Sequence, residues 1–142
     1  ATALVEEDQK LREAKLAGLK LLIAEDNAIN QQIIRRLMQY WNINFTLVEN
    51  GEQVLHHMAT EQFDLVLLDL QMPVLDGFET SKAIRKSKQA NWQRDIPIIA
   101  LSANVLIDTR DAVFSAGMDD YIGKPFRQEE MMDKLLKHTK RQ

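Results

Sequence analysis

Two stretches, Leu65-Val66-Leu67-Leu68 and Ile98-Ile99-Ala100-Leu101, carry apolar side chains at every position. A strand with one face in water alternates apolar and polar residues, so an unbroken apolar run describes a strand covered on both faces. Parallel sheets flanked by helices meet that condition, because their crossovers are long enough to hold a helix. The rest of the chain supplies the helices. Ile33, Ile34, Leu37, Met38 and Trp41 share one helical face, and Val54, Leu55 and Met58 share another. Val105, Thr109, Ala112, Val113 and Ala116 form a third stripe, and Met131, Met132, Leu135 and Leu136 a fourth. The segment 78–88 is less periodic, but its position between strands argues for helix. With strand candidates at 21–24, 45–48, 63–68, 96–101 and 121–122, five β units alternate with five α units. That alternation predicts an α/β fold with a doubly wound, five-stranded parallel sheet and right-handed crossovers.

Residues 1–18 differ from the remainder. Glu6, Glu7, Asp8, Lys10, Arg12, Glu13 and Lys15 mix both signs of charge, with Leu4, Val5, Leu11 and Leu16 as the sizeable apolar groups. They read as a solvated helix or linker ending near Gly18, ahead of one domain over 19–142. The chain of 142 residues is long enough for a sizeable core, and its 45% hydrophobic and 27% charged residues are ordinary for a soluble domain. A net charge of −3 offers no basic face for nucleic acid or anionic membrane. With no cysteine, disulfides, thiolate metal sites and cysteine nucleophiles are excluded. No apolar run reaches membrane-spanning length, and the expectation is a cytoplasmic domain, which is compatible with a membrane-anchored parent. The chain begins at Ala1 and not at Met, as a piece cut from a longer protein would.

Ligands of doubly wound sheets bind beyond the carboxyl ends of the strands, where strand order reverses. The residues there are Glu25 and Asp26 after the first strand, Asp69 after the third, Ser102 after the fourth and Lys124 after the fifth. If the order is 2-1-3-4-5, three carboxylates meet in one crevice, with a hydroxyl and an ammonium across from them. Clustered carboxylates repel unless a cation sits among them, and an all-oxygen set suits Mg²⁺ or Mn²⁺. A lysine alongside suits a phosphoryl group, and an aspartate can itself be a nucleophile forming an acyl phosphate. The residues therefore read as a phosphoryl-accepting aspartate site. Taken singly, each has a plainer role. Asp26 or Asn27 could cap the following helix, Asp69 could form a turn, and Lys124-Pro125 could be a strand exit.

The motifs "AEDNAINQ", "LVLLDLQMPVLDGFE", "PIIALSAN" and "AGMDDYIGKPF", spread over about residues 20–140, resemble the receiver domain of two-component response regulators. They are most similar to receivers at the C-terminal end of hybrid sensor histidine kinases. The resemblance implies a flavodoxin-like fold of strand order 2-1-3-4-5 with five helices. It implies Asp69 as phosphoacceptor, and Glu25 and Asp26 as the acidic pair that helps bind Mg²⁺, with the backbone carbonyl of Gln71 completing the protein's share. Ser102 and Lys124 would contact the phosphoryl group, Tyr121 would be the switch aromatic, and Lys124-Pro125 would be cis. Gln71 and Asn104 would border the path of the water that hydrolyses the acyl phosphate. The implied partner is a histidine kinase dimerisation/phosphotransfer domain or a histidine phosphotransfer protein, with no nucleic acid and no direct membrane contact. Its docking surface should include Ile29, Asn30 and Ile33, although Ile29 could equally be an ordinary core contact. Glu25 and Ser102 stand where many receivers have Asp and Thr, so Glu25 is the less direct metal ligand.

Competing readings are weaker. An aspartyl-phosphate phosphatase needs a second acid two residues after the nucleophile, where this chain has Gln71. No glycine-rich phosphate loop occurs among the five glycines, and His56, His57 and His138 do not converge as metal ligands. A protein-interaction module that never takes a phosphate is the remaining alternative.

Overall fold

Five strands, β1 (Lys20–Ala24), β2 (Asn44–Val48), β3 (Leu65–Asp69), β4 (Ile98–Ser102) and β5 (Asp120–Gly123), pair in parallel in the order β2-β1-β3-β4-β5. This is the predicted order. The computed structural model describes residues 2–103 and 107–139. Asn104 and Val105 of the sequence reading lie outside the described residues.

Every residue of β3 and of β4 is buried, as their unbroken apolar runs require. The pleat divides each run between two cores. Leu21, Ile23, Leu65, Leu67, Ile99 and Leu101 face one side, where they meet Ile34 and Met38 of α2 (Ala28–Tyr40) and Met131, Met132 and Leu135 of α6 (Gln128–Thr139). Leu22, Ala24, Val66, Leu68, Ile98 and Ala100 face the other. There they meet Val54 and Met58 of α3 (Gly51–Thr60), Ile84 of α4 (Gly77–Lys86) and Val113 of α5 (Ile107–Ser115). Helices on both faces make the sheet doubly wound.

Two strands start later than the periodicity predicts. Phe63 and Ile96 are buried yet precede β3 and β4, because side chains and turns satisfy their backbone instead of the ladder. The Phe63 N–H donates to Gln93 Oε1 and its carbonyl accepts from Gln93 Nε2, while the Ile96 N–H donates to the Gln93 carbonyl. At their other ends β3 and β4 run one residue further, so Asp69 and Ser102 are the last strand residues.

A sixth helix, α1 (Thr2–Leu16), forms from the charged N-terminal segment. Leu4, Val5 and Leu11 point to solvent, but Leu16 is fully buried in the core of α2 and α6. Burying a leucine stabilises by about 1.5–3 kcal/mol, enough to fix the last turn of α1. Arg12 adds an ion pair to Asp133 of α6. Gly18, at φ 84°, turns the chain into β1 through a region that side chains with a Cβ rarely enter. Among the described residues no helix is long and apolar enough to cross a membrane.

Candidate functional site

The connection from β1 to α2 is three residues long, Glu25, Asp26 and Asn27, and it delivers two of the acids. Asn27 is the helix cap: its Oδ1 accepts from the Asn30 N–H at 3.0 Å. Capping therefore falls to Asn27, which leaves Asp26 exposed and uncommitted, without a hydrogen-bond or ion-pair partner among the described residues. Glu25 is fully buried, and its Oε2 accepts from the Asn27 N–H at 3.1 Å. Asp69 ends β3, the middle strand, and its Oδ1 accepts from the Gln71 N–H at 3.3 Å.

Because β1 and β3 are direct neighbours, these acids converge. Oxygens of Glu25, Asp26 and Asp69 lie within 4.8 Å of one another. Lys124 follows β5 and reaches back across the strand ends. Its Nζ sits 2.8 Å from Glu25 Oε1 and 3.1 Å from Asp69 Oδ1. The Lys124 N–H donates to the Ser102 carbonyl at 2.8 Å, tying the two far strands together above the crevice. The peptide between Lys124 and Pro125 is cis. Ser102 is 4% exposed and lines the same crevice, with Gln71, Asn30 and Thr109 on its rim.

The charges are unevenly held. Burial and the adjacent Glu25 carboxylate push the Asp69 carboxyl up to about 7, against the pull of Lys124. Burial acts to raise Glu25 too, but the Lys124 ammonium and the Asn27 N–H outweigh it and hold Glu25 below the usual carboxylate range. Lys124 is raised in turn: its burial opposes the ammonium, and the two carboxylates more than compensate. By themselves, then, the side chains keep Glu25 ionised and leave Asp69 only partly charged at neutral pH. The Glu25 Oε1 atom, although close to Lys124, receives no aligned hydrogen bond. An oxygen-only donor set with a spare buried lone pair fits a hard divalent cation, which would also return Asp69 to its charged form.

Tyr121 lies outside the crevice. Its half-buried ring packs edge-on to Phe114 at 6.4 Å, with Arg110 at 5.4 Å and Lys134 at 4.5 Å over its face. Two positions outside the set of acids, hydroxyl and lysine also shape the site. Gly77 opens α4 against the backbone of Asp69, where an added Cβ would come within 2.4 Å of the Asp69 carbonyl oxygen. Gln31 donates from Nε2 to the Glu25 carbonyl at 2.6 Å. The Asp76-Gly77 step, a cap followed by a glycine, is a visible signal for the first; the second closes the motif "AEDNAINQ", but its hydrogen bond to Glu25 is not readable from that pattern.

Residues 21–136 match the response regulator receiver domain family. The chain is 41% identical over 122 residues to hybrid signal transduction histidine kinase A of Dictyostelium discoideum, an alignment covering 83% of this chain and 6% of that protein. The chain spans between 6% and 13% of the length of the curated relatives it matches. Its fold superimposes, with a TM-score of 0.79, 37% identity and coverage of 87% of this chain and 99% of the other, on the receiver domain of sensor histidine kinase PA1611 from Pseudomonas aeruginosa. That structure holds a magnesium ion in its active-site cleft. A Saccharomyces cerevisiae receiver, from the response regulator Ssk1 in complex with the histidine phosphotransfer protein Ypd1, superimposes with a TM-score of 0.76 at 27% identity, covering 87% of this chain and 90% of that one. The chain belongs to the response regulator receiver family.

Proposed function

We propose that this receiver domain of a two-component system takes a phosphoryl group from a phosphohistidine onto Asp69. The observation that carries the reading is the position of Asp69 at the end of the central strand, between two further acids and a lysine. An Asp69 oxygen attacks the phosphorus in line with the departing imidazole. The O–P bond forms as the N–P bond breaks, and the imidazole nitrogen keeps the electron pair and takes a proton from solvent. Lys124 transfers its ammonium from the carboxylates to the incoming phosphoryl oxygens, and the Ser102 hydroxyl donates to another. Mg²⁺, or Mn²⁺, held by Asp26, Asp69, the Gln71 carbonyl and, less directly, Glu25, would supply the remaining positive charge.

The domain is assigned to 19–142 and residues 1–18 to an extension, set in the cytoplasm where ATP-driven histidine phosphorylation occurs. The donor is a histidine kinase or a histidine phosphotransfer protein; the histidine kinases among the relatives and the complex of the similar Ssk1 receiver with Ypd1 support this. Once Asp69 is phosphorylated, Ser102 is drawn inward and Tyr121 changes rotamer, altering the face of α5 and β5. Gln71 borders the approach of the hydrolytic water, and the residue types at 71 and 104 set the lifetime of the acyl phosphate.

Intact mass after incubation with acetyl phosphate and Mg²⁺ tests the reading. One phosphoryl group should be gained by the parent, and none by Asp69→Asn or in excess chelator. A gain that survives the substitution would mean that Asp69 is not the acceptor.

A further inference from the structure

Asp26 is exposed and, among the described residues, has no hydrogen-bond or ion-pair partner. Its position is set by the backbone of the short connection it occupies, as is the entry of the buried Glu25 side chain. That connection is held at several points. The Glu25 N–H donates to the Val48 carbonyl at 3.0 Å, continuing the β1–β2 ladder by one bond. The Asn27 N–H is held by Glu25 Oε2, and the Asn27 side chain by the Asn30 N–H. The Glu25 carbonyl lies beyond the strand and has lost its ladder. Gln31, one turn into α2 and half-buried, supplies the donor at 2.6 Å. Its own N–H donates to the Asn27 carbonyl at 2.9 Å, so the tie is anchored in a capped helix.

We infer that Gln31 is a positioning residue for the metal-binding carboxylates: its amide locks the Glu25–Asp26 peptide plane and so presets the spacing of Asp26 to Glu25 and Asp69. Gln31 does not line the crevice and acts only through the backbone of its neighbours. A peptide released from this bond turns its carbonyl toward water, and the Asp26 Cα–Cβ vector turns with it. Metal sites lose affinity steeply when ligands must be reordered on binding. The inference rests on the metal reading above.

The discriminating measurement is Mg²⁺ affinity by titration calorimetry or amide chemical shifts, alongside the thermal midpoint of each protein without metal. Gln31→Met keeps the length and apolar stem but has no donor. Gln31→Asn keeps the amide but is a methylene too short, and serves if the methionine variant fails to fold. Gln31→Lys restores a donor of sufficient reach. Loss of the donor should weaken Mg²⁺ binding by about tenfold or more, and lysine should recover most of it. The midpoints without metal should not rank the variants in the same order. Affinity within about twofold of the parent for folded Gln31→Met, or for Gln31→Asn in its place, would overturn the inference, as would a lysine variant no better than the one used. If the parent shows no Mg²⁺ binding that Asp26→Ala removes, the metal reading itself falls, and the tie with it.

Discussion

Asp69 is the residue whose environment departs furthest from that of an ordinary aspartate. Burial beside Glu25 raises its carboxyl to about 7. The sign follows from proton counting: between the usual aspartate value and that raised one, the folded chain binds more protons than the unfolded chain. Ionised Asp69 therefore costs stability above neutrality, and the cost disappears as pH falls toward the model-peptide range. Asp69→Asn keeps the shape and removes the charge. Without metal, its thermal midpoint at about pH 8 should equal or exceed that of the parent, with the gap closing by about pH 4. A variant markedly less stable than the parent at both values would show that the Asp69 charge is already compensated by Lys124. A site held under this tension gains most from the cation and phosphoryl group it is built to receive.

At the scale of elements, what matters is how closely helices are brought to strand ends. Gly77 begins α4, donates its N–H to the Leu70 carbonyl at 3.0 Å and packs on the backbone that follows Asp69. A Cβ there would lie 2.4 Å from the Asp69 carbonyl oxygen and 2.9 Å from Leu70 Cα, both backbone atoms that cannot step aside. Gly77→Ala should cost about 1–3 kcal/mol in chemical denaturation and slow phosphorylation of Asp69, because α4 must back away from the site. The β5–α6 junction makes a different prediction. Asp120 is nearly buried, and although burial opposes its charge, His138 at 2.7 Å, the Tyr121 N–H and Lys134 hold its carboxyl below the usual range. A lowered carboxyl contributes stability above the unfolded value near 3.8 and loses it as pH falls through the folded one. Asp120→Asn should lose about 1 kcal/mol at neutral pH and show a flatter decline in stability below about pH 4 than the parent. An unchanged acid profile would remove Asp120 from the acid-sensitive set.

For the whole molecule, the proposed phosphotransfer requires that another protein reach the edge of the sheet. Ile29 is 69% exposed and Ile33 38% exposed, so the core-contact reading of Ile29 is ruled out and an apolar strip of α2 borders the acidic crevice. A partner histidine approaching Asp69 over the strand ends would cover that strip. Ile29→Asp should slow phosphotransfer from a histidine phosphotransfer protein by about tenfold, equivalent to about 1.4 kcal/mol, while leaving labelling by acetyl phosphate near normal. Equal loss of both activities would make Ile29 part of the site and not of its docking surface.

The sequence alone determined the sheet, its flanking helices and which side chains emerge at its edge. Short unbroken apolar runs alternating with helical stripes read as strands covered twice, and acids, hydroxyl and lysine placed directly after parallel strands emerge on one side. It also placed a helix or linker ahead of Gly18, but not the burial of Leu16, since nothing local separates it from Leu4, Val5 and Leu11, which stay exposed in the same charged segment. Local pattern could not say that Asn27 and not Asp26 caps α2, because either residue can cap and only the fold shows which side chain turns back. Nor could it show what Gln31 does, or how close Gly77 comes to the strand end. Their importance lies in one hydrogen bond and one close approach to backbone that is distant or irregular, and such contacts exist only once β1, β3 and their helices are assembled. The same holds for the division of charge between Glu25 and Asp69. Two buried carboxyls and one ammonium are legible in the sequence, but which carboxyl keeps its proton is decided by who lies 2.8 Å from Lys124 and who receives the backbone N–H of Asn27.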